Sequence, residues 1–134
     1  MASIIDIEGI GPVYAKKLKA AGVATTDTLL EVAATPKGRK DLAAKTGIDE
    51  TMILEWVNRA DLYRIKGVGS EYSDLLEASG VDTVVELSKR VPANLFAKMV
   101  EVNTAKKLVR KMPIEPQVKD WIEQAKKLPR KLTY

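Results

Sequence analysis

The chain has 134 residues, 46% of them hydrophobic and 30% charged, with a formal net charge of +4; this composition suits a folded core and argues against disorder. It holds no cysteine and no histidine, which removes thiol nucleophiles, structural zinc of the usual kind, disulfides and imidazole general bases, and no apolar run approaches the ~18 residues of a membrane span. Aromatics are only 5%, while Ala, Leu, Lys and Glu are abundant, so the expected class is all-α.

The opening MASIIDIEG lacks the positive and apolar regions of a secretory signal, and a cytoplasmic chain is expected. Helices are predicted over residues 12–21, 27–34, 36–46 and 50–63. The first follows Gly9-Ile10-Gly11 and stops at Gly22, where a C′ glycine belongs. The next is expected to start at Thr28, with Glu31 completing a capping box, and the third at Thr35-Pro36 as N-cap and N1. Gly47 then separates it from a helix in which Ile53, Trp56, Val57 and Ala60 follow the i, i+3, i+4, i+7 pattern. That spacing places Trp56 in the core.

The second half repeats the first. EGIGPVYAKKLKAAGV from Glu8 returns as KGVGSEYSDLLEASGV from Lys66, so that Ile7, Gly9, Gly11, Tyr14, Leu18, Gly22 and Val23 fall on Ile65, Gly67, Gly69, Tyr72, Leu76, Gly80 and Val81. Helices are predicted over 70–79, 83–90 (with a Thr83–Glu86 capping box), 92–102, 104–111 and 115–127. In the last, Val118, Trp121, Ile122 and Ala125 repeat the apolar stripe around Trp56, again a core pattern, and Tyr14 and Tyr72 are expected to pack inward as well. The second copy is longer between its proline and its tryptophan, and the surplus holds the basic NTAKKLVRK. Two units are therefore expected, 1–61 and 62–134, the second with a basic insertion and tail, joined by the continuous helix 50–63. Charge divides unevenly between them: eight Lys/Arg against nine Asp/Glu through Asp61, then fourteen against nine, with basic density at Lys106, Lys107, Arg110 and Lys111 and at Lys126, Lys127, Arg130 and Lys131. Such an imbalance suits a polyanion or an acidic partner; a solvated helix face with a basic tail is the plainer reading.

Only Lys66-Gly67-Val68-Gly69 separates two helices of the second copy. So tight a reversal is expected to need glycine at both positions, with the intervening apolar residue pinned in the core. Free amides of the following helix then face outward with its positive dipole end, a geometry that binds a phosphate oxygen without reading a base.

Gly9 to Leu18 and Gly67 to Leu76 resemble the helix-hairpin-helix motif. With the Ala-Gly-Val and Thr-x-x-Glu segments and the Lys45-Thr-Gly-Ile48 turn, each copy resembles the paired helix-hairpin-helix, or SAM-like, bundle of short helices, and the whole chain resembles a bacterial domain-of-unknown-function family built from two such copies. The resemblance implies two tandem SAM-like units and non-catalytic, sequence-independent DNA binding. It places the phosphate-binding groups at Gly9, Ile10 and Gly11, at Gly67, Val68, Gly69 and Ser70, and at the adjacent Lys16, Lys17, Lys19 and Lys66. The basic Lys106, Lys107, Arg110 and Lys111 extend that set. Pro12 has no N–H to donate. Departures from the motif are acidic or apolar: Val13 and Glu71 stand where DNA-binding hairpins often carry a basic residue, Glu8 precedes the first turn, and Asp74 and Glu77 replace Lys16 and Lys19. The rival expectation is a protein-interaction or scaffold module, self-assembling or not. No enzyme is expected, since the Gly/Pro-x-Asp signature of helix-hairpin-helix glycosylases is missing, and the Gly-x-Gly runs lack the strand and third glycine of a nucleotide fold. Neither cofactor nor metal is expected.

Overall fold

Eight α-helices make up the regular structure of residues 3–134, which the computed structural model describes: α1 Pro12–Ala20, α2 Thr26–Val32, α3 Pro36–Thr46, α4 Glu50–Leu62, α5 Ser70–Ala78, α6 Val84–Ser88, α7 Pro92–Lys106 and α8 Glu115–Lys127. A 3₁₀ turn, Ile4–Asp6, precedes them, and among the described residues the only β contact is an isolated bridge between Ser3 and Thr25. The all-α expectation holds. Among the described residues no helix is long and apolar enough to cross a membrane.

The chain forms two compact units, one running through Asp61 and including Lys131–Tyr134, the other Leu62–Arg130. In the first, Ile7, Leu18, Leu29, Leu42, Ile53 and Val57 are sealed from solvent, drawn from the 3₁₀ turn's exit and from α1 through α4. Proline at the first position of α3, behind a Thr35 hydroxyl that accepts from the Gly38 amide at 3.1 Å, fixes where that helix begins. In the second unit α8 packs against α6 and α7, and α5 against α7, around Leu62, Leu75, Leu76, Leu87, Leu95, Met99, Trp121 and Ile122.

Three local expectations are corrected. The cap of α2 is Thr25, whose hydroxyl accepts from the Thr28 amide at 3.1 Å, so Thr28 lies inside the helix and bonds back to Thr25 through its own hydroxyl at 2.9 Å. Thr25 and Thr83 are as far apart in sequence as Gly9 and Gly67, and Thr83 caps α6 in the same way, accepting from the Glu86 amide at 3.3 Å. The repeat therefore runs without a slip through this helix start. Glu86 does not complete a box, because its carboxylate pairs with Arg90 at 3.2 Å.

The second correction concerns the basic insertion. Residues 92–106 form one helix, and 107–114 are not helical, where two helices, 92–102 and 104–111, were expected. Asn103 is the cause: rather than capping a new helix, its carboxamide accepts from the Val109 amide at 3.0 Å and donates to the Val109 carbonyl at 3.3 Å. The chain folds back at Lys107, which takes the left-handed conformation (φ 53°) and donates its amide to the Asn103 carbonyl at 2.8 Å.

The third is the C-terminal tail, expected with residues 62–130. Lys131–Tyr134 instead joins the first unit, where Leu132 is buried and the Thr133 amide donates to the Ala34 carbonyl at 2.9 Å. Arg39, only 4% exposed on α3, holds it: one guanidinium nitrogen donates to the Ala33 carbonyl at 3.0 Å and another to the Thr133 carbonyl at 2.8 Å, and the group lies 5.9 Å from the Tyr134 ring centroid. Arg39→Met keeps most of the buried stem but strands both carbonyls, and is expected to lower stability by about 2–3 kcal/mol in urea denaturation. A loss below about 0.5 kcal/mol would show that these charge-assisted bonds contribute little net stability.

Candidate nucleic-acid interface

The two quoted turns divide their work between a first glycine, an apolar residue and a second glycine. Gly9 (φ 93°) and Gly67 (φ 95°) occupy the left-handed region that side chains resist. A Cβ at Gly9 would stand 3.2 Å from Nε1 of Trp56, and one at Gly67 3.1 Å from Nε1 of Trp121. The first glycine is thus required twice, by backbone angle and by the approaching indole edge. Gly11 (φ −86°) and Gly69 (φ −108°) are different: they are the extended N-caps of α1 and α5, and a Cβ there would meet nothing within 4 Å. The expectation that the reversal needs both glycines is corrected, since only the first has a constrained conformation.

Between them Ile10 and Val68 are buried, as the pinning argument expects. Their amides, however, donate inward, to the Ile7 carbonyl and the Ile65 carbonyl, each at 3.1 Å. Ile10 and Val68 are therefore removed from the outward-facing donors and act as anchors. Lys66 loses its amide too: the Gln124 carboxamide accepts from it at 2.9 Å and donates to the Lys66 carbonyl at 3.1 Å, tying the turn to α8. Among the described residues no acceptor within the chain takes the amides of Gly9, Gly11, Gly67, Gly69 or Ser70. Gly11, Gly69 and Ser70 are among the first-turn donors that a helix start leaves to solvent or ligand, while Gly9 and Gly67 lie two residues ahead of the caps.

Each tryptophan is buried, as its spacing predicts, and each carries a tyrosine from the helix after its turn. Tyr14 meets Trp56, and Tyr72 meets Trp121, with ring centroids 5.2 Å apart in both and interplanar angles of 58° and 48°. The hydroxyls then diverge. Tyr14 faces the Met52 sulfur at 4.0 Å, a weak partner, whereas Tyr72 donates to the Lys111 carbonyl at 3.0 Å. Through Tyr72 the second turn is connected to the basic segment that follows α7.

All the predicted cationic side chains are exposed: Lys16, Lys17 and Lys19 on α1, Lys66 in the turn, Lys106 at the end of α7, and Lys107, Arg110 and Lys111 beyond it. Lys66 and the last four belong to the same unit, where the Tyr72 link attaches Lys111 to α5, the helix that begins at the turn; Lys16, Lys17 and Lys19 belong to the other. Sequence reasoning missed Gln124, Asn103 and the Tyr72 hydroxyl. Gln124 follows Trp121 by three positions and so shares its helix face, a usable signal; the Asn103 clip has none, because an asparagine near a helix end reads equally as an N-cap. Among the described residues no cluster of three or more carboxylates forms a metal site.

The unequal glycines give a direct test. Gly67→Ala is expected to cost about 1–3 kcal/mol in thermal denaturation, from a left-handed alanine and its crowding of Trp121, while Gly69→Ala is expected to stay within about 0.5 kcal/mol of the parent. Equal losses would contradict the division of roles.

A family model described as a domain of unknown function, DUF4332, matches residues 8–128. No curated protein and no solved structure shows a significant match to the chain.

Proposed function

The chain belongs to the DUF4332 family, and we propose that it is a non-catalytic, sequence-independent nucleic-acid-binding protein of the cytoplasm, built from two tandem helix-hairpin-helix units of the SAM-like kind, that grips the phosphate backbone of DNA. The donors are the amides of Gly9, Gly11, Gly67, Gly69 and Ser70, with Lys16, Lys17, Lys19, Lys66, Lys106, Lys107, Arg110 and Lys111 as counter-charges. The observation that carries this reading is the bond from Tyr72 to the Lys111 carbonyl, which fastens the exposed basic segment to the helix that begins at the second turn. Amide donors at a helix start and a nearby group of cations are the two things a phosphate backbone requires. Neither reads base edges, so sequence independence follows from the same chemistry.

A second reading attaches to the first unit alone. Val13, next to Pro12 at the start of α1, is 68% exposed, and Glu8 lies on the same turn; these favour a protein contact there over a phosphate contact. On that reading the first turn belongs to a scaffold or self-association surface.

Titration of a mixed-sequence DNA duplex by fluorescence anisotropy across salt concentrations tests the proposal. Log affinity is expected to fall linearly with log salt, and the Lys106→Glu, Lys107→Glu double variant to reduce the slope by about 2. Absence of binding even at low salt, or an affinity independent of salt, would contradict it.

A further inference from the structure

Buried tryptophans normally find an acceptor for the indole N–H, and here neither does. Trp121 is 2% exposed and Trp56 3% exposed. Among the described residues no hydrogen bond is made by either indole nitrogen, yet neither is a sealed, unsatisfied buried atom, so each retains a sliver of solvent access. The direction of that access is given by the glycines. Nε1 is the atom nearest to the point where a side chain would begin at Gly67 (3.1 Å) and at Gly9 (3.2 Å), and both glycines are exposed. The indole is held in this orientation by its own packing, with Tyr72 or Tyr14 against the ring. In the second unit the Gln124 carboxamide, one turn further along α8, fixes the Lys66 backbone beside it. The same donor stands unanswered at the same place in both copies, although the hydroxyl partners of the two tyrosines differ.

We propose that the Trp121 indole N–H, and by the same geometry that of Trp56, is a ligand-binding donor that completes an anion site with the free amides of Gly67 and Gly69, or of Gly9 and Gly11. A non-bridging phosphodiester oxygen seated over the first glycine accepts from the indole, while the amides at the start of α5 or α1 take a second oxygen of the same phosphate. The first glycine is then a functional opening as well as a conformational requirement, because any side chain there would cover Nε1. The inference rests on the nucleic-acid reading above and adds to it a side-chain donor that a backbone-only hairpin lacks. An indole N–H is neutral at every accessible pH and carries no base specificity, so it strengthens phosphate binding without altering sequence independence.

Nitrogen-15-labelled full-length protein is titrated with a mixed-sequence DNA duplex while both indole resonances and the backbone amides of Gly11 and Gly69 are followed, and binding is measured separately by anisotropy. Trp56→Phe and Trp121→Phe assign the two indole signals, and each retains an aromatic ring while removing the donor. The expected result is a saturable downfield shift of the Trp121 indole proton on the same isotherm as the anisotropy change, with about tenfold weaker duplex binding for Trp121→Phe. Duplex binding that moves the amides but leaves both indole signals in place would overturn this inference while leaving the nucleic-acid reading intact. No duplex binding at any salt concentration would overturn both. Should the Phe variants fold poorly, the parent protein's indole shifts still decide between these outcomes.

Discussion

The approach of an indole edge to a glycine is the contact on which each unit is arranged. Gly9 and Gly67 have no side chain to hold Trp56 and Trp121 away, so α4 and α8 draw close to the turn that precedes α1 and α5. Once the indole is placed there, a tyrosine from the following helix covers its ring, and Ile10 or Val68 enters the core with its amide tied to the carbonyl three residues earlier. One side of each turn is thereby fixed by packing and inward hydrogen bonds. The other, from the second glycine onward, is left with donors facing solvent, and that asymmetry makes a structural turn suitable for holding an anion.

The two copies share this frame and differ in what surrounds it. In the first, α1 carries three exposed lysines, the Tyr14 hydroxyl has only a sulfur for a partner, and Val13 stands out in solvent. In the second, the corresponding helix is acidic, but α7 is extended, Asn103 folds the chain back after it, and Tyr72 attaches the resulting basic segment beside the turn. Positive charge therefore comes from the helix in one unit and from a clipped loop in the other. Non-specific affinity for a polyanion depends on how many phosphates are neutralised, so on the proposed nucleic-acid reading the second unit, with the surplus of basic residues, would contribute the larger share.

The frame was legible because it rests on periodicity and on motifs that recur in the same order. Gly9 with Gly67, Trp56 with Trp121 and the proline-led helix starts at Pro36 and Pro92 can all be read from the residues, and the structure places each tryptophan in a core as its i, i+3, i+4, i+7 neighbours require. What escaped were choices among equivalent polar groups. Thr28 with Glu31 reads as the cap, and only the backbone shows that Thr25, three residues earlier, has the extended geometry of one. Asn103 reads as the start of a helix and instead closes a loop. Arg39 sits on a helix where a solvated cation is the ordinary expectation, and its burial depends on carbonyls at Ala33 and Thr133, the second far away in sequence. Of the candidate site, the glycines, the lysines and the pinned apolar residue of each turn are proposed from pattern, but the split between the two glycines and the direction of the amides are not: composition cannot distinguish a glycine needed for its φ from one that merely leaves space, or an amide facing inward from its neighbour facing out.

The central claim, that each turn is anchored by one amide and open at the next, is tested most directly by residue-resolved hydrogen exchange on the free protein. The account predicts strong protection at Ile10 and Val68 and fast, near-unprotected exchange at Gly11, Gly69 and Ser70. Protection at Gly11 and Gly69 comparable to that at Ile10 and Val68 would mean that both turns are closed, and would contradict it.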